Sequence, residues 1–395
     1  MFVNSTQEEQ RRAEPARRNW RIALQFAVVL FAVGGYIAVS EGNDTRFHML
    51  PALQSDAAST TLLLDATSDG RRILVAGEQG HILYSDDSGT SWSHAQVPVS
   101  LALTAVAYSG ADSAWVTAHD GVLLRSTDYG QSWQTNLTGV DVARLSADAA
   151  QANVVRLQEA IELADPDSIE DLEWALDDAL FAFEDATAAI DEGVTTPLLD
   201  VWFADDRTGY ALGAYGVLLQ TTDGGSTWAL ISGRLDNPDN YHLYSIARST
   251  TGTLLVAGEA GTLLRSSDFG ETWDRPTSPY GGSFFGAVAA HDGALLTFGL
   301  RGNVFRSSDD GATWSAVDTG DQRTLLAGMT QADGTIVLVG SAGAVLISDD
   351  HGASFTAAAT SGSRVYSSVT ETFDGELMLV GFGGVSVIGE GHDHD

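Results

Sequence analysis

Six aspartates recur in the same sequence context, and carboxylates are groups that could bind a metal ion or transfer a proton. Each lies in the motif Ser/Thr-x-Asp-x-Gly-x-Ser/Thr-Trp/Phe, and the six are Asp87, Asp128, Asp223, Asp268, Asp309 and Asp350. In a tight turn, such an aspartate accepts hydrogen bonds from nearby backbone N–H groups, and the following glycine permits a positive φ. A catalytic group is needed once in a site rather than in every repeat. We therefore expect these aspartates to be structural, and we predict no catalytic and no metal-binding residue.

A second recurrent feature is an arginine immediately before the first serine of the motif. Arg125, Arg265 and Arg306 occupy this position, and Gln220 takes it in the third copy. In a closed ring of repeats, equivalent positions form an arc on one face, so these arginines could bind a carboxylate or an acidic loop of a partner. The alternative is that each arginine pairs with a neighbouring acid of this chain. The three are candidate partner-binding residues, and the sequence leaves both interpretations open.

The spacing of the motifs indicates a repeat of roughly forty residues, which is typical of a propeller blade. Successive aspartates are 41, 95, 45, 41 and 41 residues apart. Within one unit, Leu254–Gly258 and Thr262–Ser266 are predicted strands joined by a turn at Glu259–Gly261. Trp273 is expected to begin an outer strand. The pattern predicts an all-β fold, a seven-bladed β-propeller over residues 41–390.

The seventh unit is incomplete at its C-terminal end. Gly384 continues a series of glycines that precede each motif aspartate by seven residues, but no aspartate follows it. The unit ends after Val387 and Ile388, so it lacks an outer strand of its own. We expect a segment within Arg46–Gln54 to supply that strand and to join the two ends of the ring.

The recurrent motif is identified as the Asp box of BNR repeats, and it is called the Asp box below. The runs Leu198–Asp205, Gly209–Leu219 and Thr222–Trp228 resemble the repeat of the photosystem II stability/assembly factor-like propellers. The resemblance covers roughly residues 60–390, apart from an insertion. It implies a propeller that assists photosystem II assembly in phototrophs, or an accessory protein of RND (MMPL-type) transporters in non-photosynthetic bacteria. The N-terminal segment, the acidity and the insertion differ from the photosynthetic members, and these differences favour the role of an RND transporter accessory protein.

The insertion lies between the second and third Asp boxes, at about residues 141–195. It holds 15 acidic residues against Arg144 and Arg156, a net charge of 2 − 15 = −13. Apolar residues at spacings of three and four predict one helix around Leu157 and a second between Ile169 and Ile190. Gly193 is placed to end the second helix. We therefore predict an acidic α-helical hairpin inserted in the propeller.

The aromatic residues of the hairpin are the second group of candidate partner-binding residues. They are Trp174, Phe181 and Phe183, all in the second predicted helix. One interpretation is that the apolar stripe packs within the hairpin and against a blade while the acids are solvated. The other is that the hairpin is a docking arm whose aromatics contact a partner.

The N-terminal sequence predicts a membrane-targeting segment. Residues 1–21 are polar and contain five arginines, and residues 22–40 form an apolar run about long enough to span a bilayer as a helix. The arginines favour the cytoplasmic side, which would place residues 41–390 in the periplasm and leave 391–395 as a flexible tail. We expect a single-pass inner-membrane protein, and a cleaved signal peptide is the alternative.

Composition excludes several function classes. The chain of 395 residues has 53 acidic and 20 basic side chains, a net charge of −33, which argues against nucleic-acid binding. It contains no cysteine, so disulfides, thiolate metal sites and cysteine nucleophiles are not expected. The sequence indicates no cofactor. We expect a non-enzymatic scaffold of an inner-membrane complex, with an RND-type transporter as the leading partner.

Two other functions remain open for a propeller of this kind. A sialidase-like enzyme would need three arginines converging on one carboxylate, with a tyrosine–glutamate pair near the central channel. A glycan-binding lectin would need aromatic platforms clustered on one face. An exposed apolar stripe on the hairpin would favour the scaffold instead.

Overall fold

The computed structural model describes residues 50–193, 195–359 and 363–388. The predicted cytoplasmic segment 1–21, the predicted membrane helix 22–40 and the tail 391–395 lie outside the described residues. Across the described ranges, neither α-helix combines the length and the apolar character that a membrane crossing requires.

The described chain forms seven antiparallel sheets, numbered as blades in chain order. They confirm the seven blades of the predicted all-β propeller, and with the two helices described below the fold is mostly β. Blade 1 contains β1 (Leu63–Ser68), β2 (Ile73–Gly77), β3 (Ile82–Ser85) and β4 (Ser93–His94). Blade 2 contains β5 (Leu103–Tyr108), β6 (Ala114–Ala118), β7 (Leu123–Ser126) and β8 (Gln134–Leu137). Blade 3 contains β9 (Leu198–Phe203), β10 (Gly209–Gly213), β11 (Leu218–Thr221) and β12 (Ala229–Leu230). Blade 4 contains β13 (Leu243–Arg248), β14 (Leu254–Gly258) and β15 (Leu263–Ser266).

The remaining three blades follow the same order. Blade 5 contains β16 (Phe284–Ala289), β17 (Leu295–Gly299), β18 (Val304–Ser307) and β19 (Ser315–Val317). Blade 6 contains β20 (Leu325–Thr330), β21 (Ile336–Gly340), β22 (Val345–Ser348) and β23 (Thr356–Ala357). Blade 7 contains β24 (Tyr366–Glu371), β25 (Leu377–Gly381) and β26 (Gly384–Ile388). Blade 4 has a single bridge between Arg265 and Asp274 in place of a fourth strand.

The first strands of the blades contact one another in a closed ring, β1–β5–β9–β13–β16–β20–β24 and back to β1. One hydrophobic cluster fills each junction between neighbouring blades. The second strand of each blade is packed on both sides, and β14, for example, is buried along its whole length. This two-sided burial explains the continuous apolar runs in the sequence.

The ring closes differently from the prediction. Ser367 of β24 donates to the Leu63 carbonyl oxygen of β1 at 2.7 Å, so blade 7 meets blade 1 directly. Blade 7 keeps three strands within the described residues, and the N–H of Ala52 donates instead to the carbonyl oxygen of Val97 at 3.0 Å, between blades 1 and 2. The expectation that Arg46–Gln54 completes blade 7 is therefore wrong for residues 50–54. A 3₁₀ turn at Ala58–Thr60 contacts β26 and precedes β1 in the chain.

Two antiparallel helices interrupt the propeller between blades 2 and 3. They are α1 (Gly139–Leu163) and α2 (Ile169–Glu192). The first begins with a capping box, in which Thr138 and Asp141 exchange side-chain-to-backbone hydrogen bonds. The second ends at Gly193, whose φ of 68° is left-handed.

The strand order gives the propeller two distinct faces. The turns between second and third strands lie on one face together with the connections between blades, including the helical hairpin; we call this the turn face. The first-to-second turns and the Asp boxes lie on the opposite face, called the box face. At the turns on the turn face, the backbone of one blade lies so close to the next connection that only glycine fits. At Gly261, for example, a Cβ would lie 2.1 Å from the carbonyl oxygen of Tyr280.

Candidate functional site

The Asp boxes are self-contained hydrogen-bonded turns. Asp309 accepts from the N–H of Thr313 at 2.8 Å, from the Thr313 hydroxyl at 2.6 Å and from the Ser307 hydroxyl at 2.7 Å. These bonds hold the pKa of Asp309 down to about 2. The equivalent bonds recur at the other five boxes. Each carboxylate is thus committed to its own turn, and no described group of His, Asp and Glu is arranged to hold a metal ion.

Each Asp box carries a second left-handed residue that the motif did not reveal. The residue after the aspartate has a φ between 57° and 71° in every copy, and five of the six are not glycine. In four of the six copies, a side chain of the preceding blade donates a hydrogen bond to the carbonyl oxygen of this residue. The positions are Ser88, Tyr129, Gly224, Phe269, Asp310 and His351.

Two of the three candidate arginines bind these carbonyl groups. Arg306 donates from Nε to the carbonyl oxygen of His351 at 2.9 Å and pairs with Asp292. Arg265 donates to the carbonyl oxygen of Asp310 at 3.3 Å and pairs with Asp274. Both guanidinium groups therefore hold the Asp box of the next blade, and both bind a local acid.

Arg125 is placed differently from the other two. Its Cζ lies 5.2 Å from the centre of the Trp115 ring, in a cation–π contact. Its buried Nε has no hydrogen-bond partner in the described part of the chain. The arc of three arginines lies on the box face, and its members differ in their contacts.

Side chains at other positions hold the Asp boxes that follow blades 1 and 3. Arg72, in the turn between β1 and β2, donates to the carbonyl oxygen of Tyr129 at 2.8 Å. Tyr210 donates from its hydroxyl to the carbonyl oxygen of Phe269 at 2.5 Å, and Gln220 reaches the same oxygen. Sequence analysis missed this shared role because these donors stand at different positions in the repeat.

The axial channel is a cavity of about 420 Å³ lined by the first strands of the blades. Asp65 and Asp200 occupy the same strand position in blades 1 and 3, and sequence analysis missed both. Burial raises the pKa of Asp65 to about 6 and that of Asp200 to about 7, and the charge of Asp65 contributes to the second shift. A charged residue inside an apolar strand, as in Leu63-Leu64-Asp65, is the signal that could have found them.

The carboxyl groups of the channel are bound to neighbouring blades. Asp65 accepts from the Val106 N–H at 2.7 Å, and Asp200 accepts from the Ile246 N–H at 2.9 Å. The side chains that line the channel in the described structure include Tyr244 but no arginine and no glutamate. This lining lacks the arginine triad and the tyrosine–glutamate pair of a sialidase-like site.

Aromatic rings line the mouth of the channel on the turn face. The rings of Tyr215 and His242 are 5.0 Å apart edge to face, and those of Tyr244 and Phe285 are 5.2 Å apart. His242 also contacts Tyr244, so the four rings form a continuous row from the surface into the channel. Only Tyr215 belongs to the strongly exposed side chains, with 64% of its surface accessible.

The hairpin separates its three candidate aromatics into two environments. Phe183 packs against the small core of the hairpin, which is built on Val154, Leu157 and Ala179. Trp174 and Phe181 point away from this core and are 67% and 72% exposed. Among the described aromatic residues these two are the most exposed, and they lie on one helix, so this helix face is a candidate contact surface.

The base of the hairpin is fixed to the propeller. Val142 of α1 is buried among residues of blades 2 and 3, including Leu198 and Trp228. Beyond this contact the two helices pack on each other. The candidate aromatics thus lie on a helical hairpin whose base is buried in the propeller core.

Comparison with known proteins identifies related sequences. Residues 184–390 match the family model described as photosynthesis system II assembly factor YCF48. Over 104 residues the chain is 38% identical to the chloroplastic photosystem II stability/assembly factor HCF136 of Arabidopsis thaliana, which covers 25% of each protein. Over 100 residues it is 34% identical to the photosystem II assembly lipoprotein Ycf48 of Synechococcus sp. (strain CC9902), which covers 23% of the chain and 29% of that protein.

In both alignments the chain spans only about a quarter of the curated relative's length. The solved structure of YCF48 bound to a D1 peptide superposes with a TM-score of 0.57 and covers 85% of this chain and 97% of that one. At 15% sequence identity, this likeness shows the fold alone.

Proposed function

Because the chain belongs to the family of the photosynthesis system II assembly factor YCF48, we propose that it is a non-enzymatic, membrane-anchored propeller that helps to assemble or operate an inner-membrane protein complex. The relatives named above are assembly factors of photosystem II, and one of them is a lipoprotein. The solved relative binds a D1 peptide, which makes contact with a protein partner the natural expectation for this fold.

One observation carries the proposal: the hairpin presents Trp174 and Phe181 to solvent on α2, which packs against α1, and the base of α1 is buried in the propeller at Val142. Exposed aromatics with a rigid support are typical of residues that dominate protein–protein contacts. Arg125, Arg265 and Arg306 offer a second candidate surface on the box face. The hydrogen bonds and ion pairs of Arg265 and Arg306 within the propeller leave less of these two guanidinium groups for a partner.

The leading client is an RND-type transporter. The N-terminal apolar segment would confine the propeller to the membrane surface, which raises its effective concentration near a membrane partner. The net charge of −33 opposes binding to anionic lipid headgroups and favours a basic surface on the partner.

The proposal is tested by affinity purification of the tagged full-length chain from detergent-solubilised native membranes, followed by mass spectrometry. We expect a polytopic RND-type transporter in near-equal amount, and its loss when residues 141–195 are replaced by a short glycine-rich linker. Recovery of photosystem II subunits would show that the partner is photosystem II rather than a transporter, and the scaffold function would stand. Recovery of the chain alone, with residues 1–40 removed, would contradict the anchored scaffold.

A glycan-binding function is the second candidate, and the aromatic row at the channel mouth favours it. Sugar rings stack on exposed aromatic faces, and Tyr215 offers such a face beside His242. A glycan array with the purified chain tests this candidate. Binding that is lost on Tyr215→Ala and kept on Phe181→Ala would support the lectin, whereas an array without signal would remove it.

A further inference from the structure

We infer that the exposed face of α2 is a docking site for a cationic amphipathic helix of a protein partner. This inference rests on the proposed scaffold function and names the chemistry of the partner that it would bind. The face consists of Trp174, Phe181 and the acidic residues around them, and we call it the α2 face.

The two aromatics of the α2 face lie on one line along the helix. Their spacing of seven residues is two helical turns, or about 10.5 Å along the axis. Both side chains are mostly exposed, at 67% and 72%, and neither belongs to the hairpin core. A partner must therefore supply apolar side chains at a matching distance, which a second helix does with residues seven apart.

Acidic residues bracket both aromatics at one-turn spacing. Asp177 and Asp178 lie between Trp174 and Phe181, three or four residues from each, and all of them are exposed. A further acidic pair lies one turn beyond each aromatic, Glu170 with Asp171 and Glu184 with Asp185. The complementary ligand has cationic residues three or four positions from its apolar ones, which describes a cationic amphipathic helix.

The charge of α2 decides between the possible occupants. The helix carries nine acidic residues and no basic one. An anionic bilayer surface would be repelled, although exposed aromatics alone would favour it. A second copy of the chain would place two acidic faces against each other. A protein segment with lysines or arginines gains from the aromatic contact and from the charge together.

The α2 face is supported from both sides of the hairpin. The core of Val154, Leu157 and Ala179 holds α2 against α1, and the capping box and Val142 hold α1 to the propeller. Little order has to be created on this side when a ligand binds, which lowers the entropic cost of association.

The test uses the purified full chain and a fluorescent model peptide of 18 or so residues. The peptide carries leucines seven positions apart with lysines three and four positions from each, and a scrambled peptide of the same composition is the control. Fluorescence anisotropy gives the Kd at low and moderate salt. We expect saturable binding of the patterned peptide, weakened several-fold by added salt, and weaker binding of the scrambled one.

Two variants locate the binding, and each has a matched control. The double variant Trp174→Ala, Phe181→Ala should raise Kd at least tenfold, because aromatic anchors dominate such contacts. Its control is Tyr215→Ala, Phe382→Ala, which removes two exposed aromatics from the propeller and should leave Kd within twofold. The variant Asp177→Asn, Asp178→Asn should reduce the salt dependence, whereas Asp349→Asn, Asp374→Asn should not.

Equal binding by wild type and the Trp174/Phe181 variant would overturn the inference, as would loss of binding in the Tyr215/Phe382 control. So would Trp174-dependent binding to phosphatidylglycerol vesicles, or a Trp174-dependent dimer in sedimentation. If the aromatic double variant loses its helical circular dichroism, the salt dependence of Kd in the Asp177→Asn, Asp178→Asn variant tests the inference instead. The two experiments can fail separately. A negative peptide assay would rule out the α2 face as the docking site without ruling out the scaffold function, and a membrane purification without a transporter would not change the result of the peptide assay.

Discussion

Ser368 donates a hydrogen bond from Oγ to Oδ1 of Asp65 at 2.7 Å, across the junction where blade 7 meets blade 1. The other carboxyl oxygen of Asp65 accepts from the N–H of Val106 in blade 2. One side chain thus links three blades at the closing point of the ring. Because burial raises the pKa of Asp65 to about 6, its charge changes near pH 6.

The first prediction is that the propeller loses stability as pH rises from about 4 to about 8. The folded pKa values of Asp65 and Asp200 are raised, so the folded state holds their protons more tightly than the unfolded chain does. Their stabilising contribution is complete below the unfolded pKa of about 4 and is lost as pH passes through 6 and 7. For Asp65 alone, the contribution to the free energy of unfolding falls by about 3 kcal/mol between pH 4 and pH 8. Urea unfolding at a series of pH values measures this change.

Variants of these two residues serve as the control for this pH dependence. Asp65→Asn and Asp200→Asn cannot ionise, so the slope of the free energy of unfolding between pH 4 and 8 should become smaller in each. Asp374→Asn, on an exposed turn of blade 7, should keep the wild-type slope. Parallel curves for all variants would show that the channel carboxyl groups do not govern this range.

The second prediction concerns the acid side of the same curve. Hydrogen bonds within the Asp boxes lower the pKa of Asp309 and Asp350 to about 2. Their stabilising contribution is present above the unfolded pKa of about 4 and is lost as pH falls towards 2. Together with the channel carboxyl groups, they predict maximal stability near pH 4, visible as the peak of melting temperature in a pH series. Asp309→Asn should flatten the acid limb, and Asp349→Asn should leave it as steep as in the wild type.

The third prediction is that Arg306 stabilises the junction between blades 5 and 6. Replacing it by methionine removes the bond to the His351 carbonyl oxygen and the pair with Asp292 while keeping an unbranched apolar side chain. We expect the free energy of unfolding to fall by about 1–3 kcal/mol. Arg301→Met, at an exposed turn on the opposite face, is the matched control and should change it by less than about 0.5 kcal/mol. An unchanged stability with loss of client in the membrane purification would instead favour partner binding by Arg306.

The fold was predictable because the repeat is strict where the backbone requires it. The strand Leu254–Gly258 and the turn Glu259–Gly261 were predicted with their observed bounds, since an apolar run followed by a required glycine leaves little choice. Trp273 did not begin a strand, because only Asp274 pairs with Arg265 in blade 4. Closure of the ring depends on contacts between residues about 300 positions apart, which local patterns do not encode.

The candidate site was predictable only in part. Helical spacing places Trp174, Phe181 and Phe183 on one helix, but only packing against the core of Val154 and Leu157 separates the half-buried Phe183 from the exposed Trp174 and Phe181. The start of α1 was missed, although Thr138 and Asp141 form a capping pattern that could have given it. Asp200 lies within the run Leu198–Asp205 that resembles the family repeat, but its place in the channel follows only from the closed ring.

The last prediction tests whether Val142 fixes the hairpin to the propeller. Val142 is 1% exposed in the core between blades 2 and 3, whereas Val155 on the same helix is 47% exposed. An aspartate at position 142 would bury a charge beside apolar side chains, so release of the hairpin base from the blades costs less than keeping it. In Val142→Asp we expect amide hydrogen exchange across residues 139–163 to accelerate at least tenfold, while the first strands of the blades keep their protection. Val155→Asp should leave both unchanged. If exchange in 139–163 stays slow in Val142→Asp, the hairpin holds its position through its own two helices; if the blade strands lose protection as well, the junction between blades 2 and 3 depends on the hairpin for its stability.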